Sequence, residues 1–245
     1  MISIATADLL TAWERGLSQS SASRRLLMLL ATAYPELTEE QLLKAPIGQR
    51  DGLALQLREV LFGSQLISVA ICPFCTEQLE LTLNASDIQV ASNSFLQKPL
   101  QLQLEGFKLE FRLPDSQDLM HIETINSIEE AHNILMRRCL LSVSHNDQAC
   151  DMSQLPETVL QKIEAAMSEA DPQADVQLDL HCPACQRNWL ATFDIASFLW
   201  SEINTWAQRL LNEVHLLAKA YCWRETDILA MSSMRRRMYL ERLTQ

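Results

Sequence analysis

One short motif, Cys-Pro-x-Cys, occurs twice in the chain and constrains its fold more than any other feature. The first copy lies in ICPFCTEQLELTL, residues 71–83, and the second lies 110 positions later in HCPACQRNWLATF. In each copy an apolar lead-in precedes the cysteines, three polar residues follow them, and an apolar–polar alternation typical of a β-strand comes next. We therefore interpret the two segments as a short internal repeat.

We predict that the two motifs together supply the ligands for one metal ion. The four cysteines are Cys72, Cys75, Cys182 and Cys185. Tetrahedral zinc takes four ligands, and its structural sites prefer thiolates. A site closed by four thiolates leaves no position for water, so we predict structural, non-catalytic Zn²⁺. Because 106 residues separate the two pairs, the ion would hold distant segments of the chain together.

Two other interpretations of these cysteines stay open. A Cys-x-x-Cys pair can be redox-active, but such a pair opens a helix, whereas a strand pattern follows each pair here. The four cysteines could also be a former zinc site that is now held by packing. His181 is expected to face away from the site, as strand neighbours do. Cys139 and Cys222 lie in helical patterns and are expected to be small buried residues, and Cys150 lies in a polar stretch.

Helical patterns occupy most of the remaining chain. Residues 5–63 are expected to be helical, and Thr38 with Gln41 fits a capping box at one helix start. Another helix is expected to start near Pro46 and to end before Gly63, because proline is tolerated in a first turn and glycine favours a helix end.

The middle of the chain mixes the two patterns. Apolar residues alternate on both sides of the Glu105–Gly106 turn, which predicts a β-hairpin. We expect a helix over residues 126–142, a polar surface loop over 143–155, and a helix between Pro156 and Pro172.

The C-terminal part is predicted to be helical. Apolar residues step by three or four from Leu199 to Tyr221, which predicts a long helix over residues 194–221 with one apolar face. Ser232 fits the start of a final short helix that runs through Leu243.

These patterns predict an α+β fold that is mainly helical, with a β-module clamped by a discontinuous, zinc-ribbon-like site of four cysteines. We divide the chain into three regions. They are an N-terminal helical region (1–65), the zinc-clamped β-module with inserted helices (66–193), and a C-terminal long helix with a docking helix (194–245).

Composition narrows the classes of function. A net charge of −11 disfavours binding to nucleic acid or to anionic membranes. No run of 18 apolar residues occurs, so no transmembrane helix is expected. The N-terminal segment lacks the pattern of a signal peptide, which predicts a reducing compartment where cysteines serve as metal ligands. With only five glycines and no catalytic constellation, we predict a protein that is not an enzyme and has no catalytic residues.

The one basic cluster is MRRRMYLERL, residues 234–243. It can be a solvated helix face whose arginines complement the helix dipole. It can also be a docking helix with apolar anchors and a rim of arginines. The residues of this second interpretation are Trp223, Met234, Arg235, Arg236, Met238 and Tyr239. Trp200 and Trp206 are expected to lie in the core.

Most of the chain, roughly residues 8–243, resembles a known family. The stretches that carry the resemblance are APIGQRDGLALQLREVLFG with ICPFC, DPQADVQLDLHCPACQRNWLATFDIASFLWSEI, and RLLNEVHLLAKAYCWRETDILAMSSMRRRMYLERL. They resemble the phage baseplate hub assembly chaperone family of T-even-like contractile tails, whose relatives also occur in contractile injection system clusters.

The resemblance implies a non-enzymatic protein that helps to build, or remains in, the hub of a contractile baseplate. Its expected partners are hub, spike or tape-measure proteins, and no nucleic acid or membrane. Its expected location is the cytoplasm of the producing cell or the assembled particle. Two other classes stay open. A zinc-ribbon nucleic-acid-binding or transcription accessory protein would bind DNA or RNA in a salt-dependent way, and a thiol oxidoreductase would carry a reactive cysteine of low pKa.

Overall fold

The computed structural model describes residues 4–90 and 99–243, and its fold is α+β and mainly helical, as predicted. The helices are α1 Thr6–Leu17, α2 Ala22–Ala33, α3 Glu39–Lys44, α4 Ile47–Phe62, α5 Ala85–Ile88, α6 Ser116–Ile122, α7 Ile128–Cys139, α8 Glu157–Ala170, α9 Ile195–Tyr221, α10 Glu225–Leu229 and α11 Ser233–Leu243. The strands are β1 Gln65–Ile71, β2 Gln78–Asn84, β3 Leu100–Leu104, β4 Phe107–Phe111, β5 Leu140–His145, β6 Gln148–Ala149, β7 Gln177–His181 and β8 Asn188–Thr192.

The chain forms two compact units. The first comprises residues 1–36 and 196–245, and the second comprises residues 37–195. Both Cys-Pro-x-Cys motifs lie in the second unit, whereas α10 and α11 lie in the first. The division into three regions made from the sequence, with boundaries after residues 65 and 193, stays a prediction.

In the first unit, α9 carries the apolar face that its sequence predicts. Its buried residues include Leu199, Ile203, Leu210 and Leu217. Trp13 of α1 donates its indole N–H to the side-chain oxygen of Asn204 at 3.0 Å. Gly16 of α1 lies so close to the ring of Trp200 that a Cβ there would meet ring carbon at 2.4 Å. Trp200 is therefore a packing residue, as expected from the sequence.

The second unit contains a four-stranded sheet of order β3-β4-β5-β6. Its first two strands form the predicted hairpin, in which Leu102 lies opposite Leu109. The apolar side chains of this sheet share one core with α7 and α8, and Phe111, Val159 and Ile163 are buried in it. This core explains why the hairpin is stable inside the unit, since isolated two-stranded hairpins are marginal in water.

The predictions for residues 126–142 and 143–155 are partly wrong. The helix over the first range ends at Cys139, and residues 140–145 form β5, which pairs with β4. The second range is not a simple surface loop, because β5 continues into it and β6 follows. Local sequence favoured helix, but pairing with β4 and burial of apolar side chains against the sheet core override that preference.

Several helix ends follow directly from single residues. Thr38 and Gln41 form the predicted capping box at the start of α3, and Ser232 accepts a hydrogen bond from the backbone N–H of Arg235 near the start of α11. Pro46 and Gly63 flank α4 as expected.

The isolated cysteines differ from one another in exposure. Cys139 is fully buried, as predicted. The prediction that Cys222 is buried in a helix is wrong, because Cys222 is exposed and follows the end of α9 with a φ of 55°. Cys150 is half-buried and packs against the core of the four-stranded sheet.

Helix α4 is buried along most of its length, including polar residues in its first two turns. The buried Arg50 donates from Nε to Asp51 at 2.7 Å. Burial raises the pKa of Asp51 to about 6, although Arg50 acts in the opposite direction. At the N-terminus of the helix, the backbone N–H of Gly48 donates to a carboxylate oxygen of Asp171 at 2.9 Å. A carboxylate from outside the helix thus complements the positive end of its dipole.

Two glycines of α4 give a matched test of this packing. A Cβ at Gly48 would lie 1.9 Å from Asp171 Oδ1 and 2.8 Å from the backbone nitrogen of Ala174, whereas a Cβ at Gly52 would meet nothing within 4 Å. We expect Gly48→Ala to lower the free energy of unfolding by about 2 kcal/mol, because backbone must move. Gly52→Ala should raise it by about 0.5–1 kcal/mol through helix propensity. Urea unfolding of both variants checks the expectation, and equal shifts would contradict it.

Candidate metal centre

Each cysteine motif forms the tip of a two-stranded β-hairpin. The first hairpin pairs β1 with β2, from Gln65 opposite Asn84 to Ile71 opposite Gln78. The second hairpin pairs β7 with β8 and ends with His181 opposite Asn188. Every pair of the second hairpin equals a pair of the first moved by 110 positions. The internal repeat seen in the sequence is therefore a repeated hairpin with the same register.

The two hairpin tips also share their backbone hydrogen bonds. In the first tip, the N–H of Cys72 donates to the carbonyl of Glu77, and the N–H of Thr76 donates to the carbonyl of Cys72, both at 2.9 Å. The second tip repeats both bonds at the positions 110 residues later. Thr76 and its counterpart Gln186 adopt left-handed φ values of 64° and 60°. The backbone of each tip thus turns sharply after the second cysteine. This turn directs both sulfurs of the pair to the same side.

The two tips bring the sulfurs of all four motif cysteines together. The Sγ atoms lie within 4.8 Å of one another. The Sγ atoms of Cys72 and Cys185 are 3.7 Å apart, and those of Cys75 and Cys182 are 3.5 Å apart. A tetrahedral ion with Zn–S bonds of about 2.3 Å requires sulfur separations of about 3.8 Å, whereas a disulfide requires about 2.05 Å. The spacing fits four ligands around one ion, and none of the four sulfurs forms a disulfide.

Burial and electrostatics at the site favour a bound cation. Burial raises the pKa of Cys72, but hydrogen bonds from the backbone N–H groups of Phe74 and Cys75, together with those from the side chains of Cys75 and Cys182, lower it to about 7. At Cys75 the N–H of Glu77 favours the thiolate, yet burial and the neighbouring sulfurs raise its pKa to about 12. Four thiolates at this separation repel one another unless a cation neutralises them. The donor set therefore fits a thiolate-binding ion such as Zn²⁺.

The neighbours of the cysteines take other roles. His181 makes hydrogen bonds with Asn188 and Gln186, so its ring nitrogens are engaged away from the sulfurs, as expected. A contact that sequence reasoning missed joins the two tips, because the guanidinium of Arg187 lies 5.0 Å from the ring centre of Phe74. This cation–π contact adds to the hold between the two hairpins.

The predicted partner-binding residues lie in the first unit and fall into two groups. Met234 and Met238 of α11 are 69% and 54% exposed, as surface anchors must be. Trp223 and Tyr239 are half-buried and lie edge to face, with ring centres 4.8 Å apart. Arg235 is exposed, and its guanidinium lies 5.9 Å from the ring centre of Tyr239. The predicted set thus contains both residues that a partner could reach and half-buried residues that pack within the unit.

Arg236 has a different place from the other arginines of α11. It is only 3% exposed. Its side chain donates to Glu213 of α9 at 3.0 Å and to the carbonyl of Met231 at 2.7 Å. The sequence interpretation put it on the rim of a docking surface, but these contacts make it an internal link between α11 and α9.

Comparison with known proteins identifies the family of the chain. Residues 8–200 match the family model described as T4 bacteriophage base plate protein. The chain belongs to this family. The matched range contains both hairpins with their cysteines and ends before α10 and α11. No curated protein matches the chain significantly, and no solved structure does.

Family membership confirms the resemblance seen in the sequence at the level of phage baseplate proteins. A protein of this family is a baseplate component or has a role in baseplate assembly, and it interacts with other baseplate proteins. The family is structural and typically non-enzymatic. Within the described residues, no helix is both long enough and apolar enough to cross a lipid bilayer.

Proposed function

We propose that this protein is a non-enzymatic assembly factor or component of the baseplate hub in a contractile phage tail or injection system. Its partners would be hub, spike or tape-measure proteins, and it would act in the cytoplasm of the producing cell and in the particle that it helps to build. The observation that carries the proposal is the match to the baseplate family over residues 8–200. The assignment to the hub, rather than to another part of the baseplate, rests on the family resemblance described in the sequence analysis.

Structural Zn²⁺ is part of the proposal. The ion would be held by the four clustered cysteines and would join two hairpins that are distant in sequence. The thiol oxidoreductase alternative is less favoured, because each Cys-Pro-x-Cys is followed by a strand, β2 or β8, and not by a helix. A closed site of four thiolates supports a binding or structural protein more than a catalytic one.

The proposed contact with partners is the docking surface, which we define as Met234, Arg235, Met238 and the groove between α11 and α9. The groove has a volume of about 510 Å³. Its lining residues are Trp206, Arg209, Leu210, Glu213, Ser233, Met234, Arg236 and Arg237. The half-buried Trp206 and the buried Leu210 give the groove apolar contact surface, as interface anchors require. The edge-to-face contact of Trp223 with Tyr239 of α11 holds this helix against the segment between α9 and α10.

Charge indicates which kind of partner segment fits this groove. Arg209 and Arg237 line it beside the ion pair of the buried Arg236 and the half-buried Glu213. The lining thus has more arginines than carboxylates, although Arg237 also pairs with Glu241 at 3.2 Å. A partner segment with apolar anchors and flanking carboxylates would complement both features.

The proposal is tested with the tagged protein, purified from cells that produce the particle, and with mass spectrometry of the proteins that accompany it. We expect baseplate hub, spike or tape-measure proteins. The double substitution Met234→Glu and Met238→Glu should reduce their recovery at least about tenfold, because charges replace two apolar anchors. Ile128→Glu is the matched control, since Ile128 is an apolar residue of another helix that is 89% exposed.

Each alternative result of this purification has a distinct meaning. Recovery of RNA polymerase subunits or nucleic acid without tail proteins would overturn the proposal in favour of a zinc-ribbon nucleic-acid-binding or transcription accessory protein. Equal recovery of baseplate proteins by the double variant and the wild type would keep the baseplate role and exclude the docking surface.

A further inference from the structure

The outer edge of β1 has unpaired backbone groups. In the first hairpin, the N–H of Cys72 donates to Glu77 and the N–H of Ala85 donates to Ser64. These two bonds fix which alternate residues of β1 pair with β2. By the alternation of an antiparallel ladder, the N–H and C=O groups of residues 65, 67, 69 and 71 point away from β2. Within the described residues, no other strand pairs with β1 on that side.

The side chains at these positions make the edge apolar. Ile67, Val69 and Ile71 are 67%, 58% and 61% exposed and lie on one face of the hairpin, because they alternate along the strand. The sequence of β1, QLISVAI, contains no charged residue. Proteins normally protect exposed edges with charges, proline or bulges. This edge has none of these devices.

The internal repeat shows what a protected edge looks like in the same hairpin. The three positions of β7 that correspond to Ile67, Val69 and Ile71 are Gln177, Asp179 and His181. The outward positions of β2 opposite those three residues are Thr82, Glu80 and Gln78. Strand β1 thus carries three outward apolar residues where β7 carries polar ones, and the partner strands differ in polarity at one of the opposite positions, where β2 has Glu80 and β8 has Leu190. The three outward apolar residues are therefore not required for a hairpin of this register to fold.

We propose that β1 pairs antiparallel with β1 of a second copy of this chain. A two-fold axis through Val69 would place Val69 opposite itself and Ile67 of each copy opposite Ile71 of the other. All three outward apolar residues then find apolar partners, and the free backbone groups of residues 67, 69 and 71 are paired.

Charge supports a second copy as the occupant of this edge. With a net charge of −11, two copies repel each other at long range. Because β1 has no charged residue, two copies that pair through it bring no like charges of this strand into contact. The strand is also complementary to itself, because its three outward apolar residues lie opposite one another in the register of a two-fold contact.

The test is sedimentation velocity of the full-length, metal-loaded protein between about 1 and about 200 µM, a range that brackets the weak dimer expected of a small interface. Wild-type protein should shift from monomer towards dimer across this range. Val69→Asp should remain monomeric, because the two-fold axis puts two aspartates directly opposite each other. Because Val69 lies opposite Glu80 within its own hairpin, Val69→Lys is the second disrupting variant: it gives the hairpin a favourable cross-strand pair and should also be monomeric when alone.

A charge-matched control and a rescue make the test specific for this register. Thr192→Asp adds the same charge to an exposed position of the other hairpin and should leave the dimer unchanged. An equimolar mixture of Val69→Asp and Val69→Lys should restore dimers, because the axis then puts opposite charges together.

Three outcomes would overturn the proposal. Wild-type protein that stays monomeric throughout the range excludes self-pairing. Dimers of Val69→Asp that are as stable as wild type assign the contact to another surface. A monomeric wild type that binds a purified baseplate protein, and loses that binding in Val69→Asp, assigns the edge to a strand of that partner instead. None of these outcomes depends on the docking surface proposed for baseplate partners.

Discussion

Replacement of Cys182 and Cys185 by serine should remove the metal and unfold part of the second unit. The wild-type protein is expected to contain about one zinc ion per chain, because its four sulfurs lie within 4.8 Å of one another. The double variant should contain none, since two thiolates cannot close a tetrahedral site. Elemental analysis of the purified proteins measures this directly.

The loss of metal should lower the melting temperature by about 10 °C or more, because binding to a structural zinc site is coupled to folding. The loss of metal should destabilise the two hairpins more than any other segment. Each is a two-stranded sheet, and such sheets are marginally stable alone. Calorimetry, and treatment of the wild type with a chelator, should give the same decrease by independent routes.

The control for this experiment is Cys222→Ser. Cys222 is exposed and lies outside the clustered sulfurs, so its zinc content and melting temperature should match those of the wild type. If the double variant melted at the wild-type temperature and the wild type contained no zinc, the cysteines would be the remnant of a former metal site held by packing. A wild-type disulfide that cycles under reductant would instead favour the oxidoreductase.

The sequence was most informative where one residue determines local geometry. The repeated Cys-Pro-x-Cys with following alternation predicted a strand after each motif, and the structure contains both, as β2 and β8. Helix ends marked by Thr38, Pro46 and Gly63 were also predicted correctly. Such signals are local, because a cap or a turn residue acts on backbone groups within a few positions of itself.

Features that depend on distant contacts could not be predicted from the pattern of residues. Strand β5 follows α7 without a turn signal and exists because β4 offers it a partner. The burial of Arg50 and Asp51 in α4 depends on neighbours that the sequence does not identify. Arg236 stands among three consecutive arginines, and only its contact with Glu213 separates it from its neighbours. The open edge of β1 likewise emerges only when the hydrogen-bond register is known.

The buried carboxylate of Asp118 is a further feature of this kind. It lies in α6 and is fully buried. It accepts hydrogen bonds from Arg112 at 2.9 Å, from Arg138 at 2.7 Å, and from the backbone N–H of Asp115 at 3.0 Å. One side chain thus connects the end of β4, the start of α6 and the end of α7. Burial raises the pKa of Asp118, but the bonds from Arg112, Asp115 and Arg138 outweigh this, and the net shift is downward.

Asp118→Asn should therefore lower the free energy of unfolding at pH 7 by about 3 kcal/mol, because Arg138 loses its counter-charge and Arg112 keeps only the longer contact with Asp115 at 3.4 Å. The value is at the lower end for buried ion pairs, since Arg112 and Arg138 are 30% and 33% exposed and partly solvated. Urea unfolding measures the change. Asp147→Asn is the control, because the pair of Lys108 and Asp147 is exposed and its loss should change stability little.

The pH dependence separates a loss of charge from a simple packing defect. A carboxylate whose pKa is lower in the folded protein than in the unfolded chain stabilises the fold above the unfolded pKa, and this stabilisation is lost as the pH falls through the folded value. The difference between the wild type and Asp118→Asn should therefore be largest near neutral pH and should shrink in acid. A difference that stays constant from pH 7 into the acid range would show that the variant disturbs packing, and that the ion pairs of Asp118 contribute little to holding β4, α6 and α7 together.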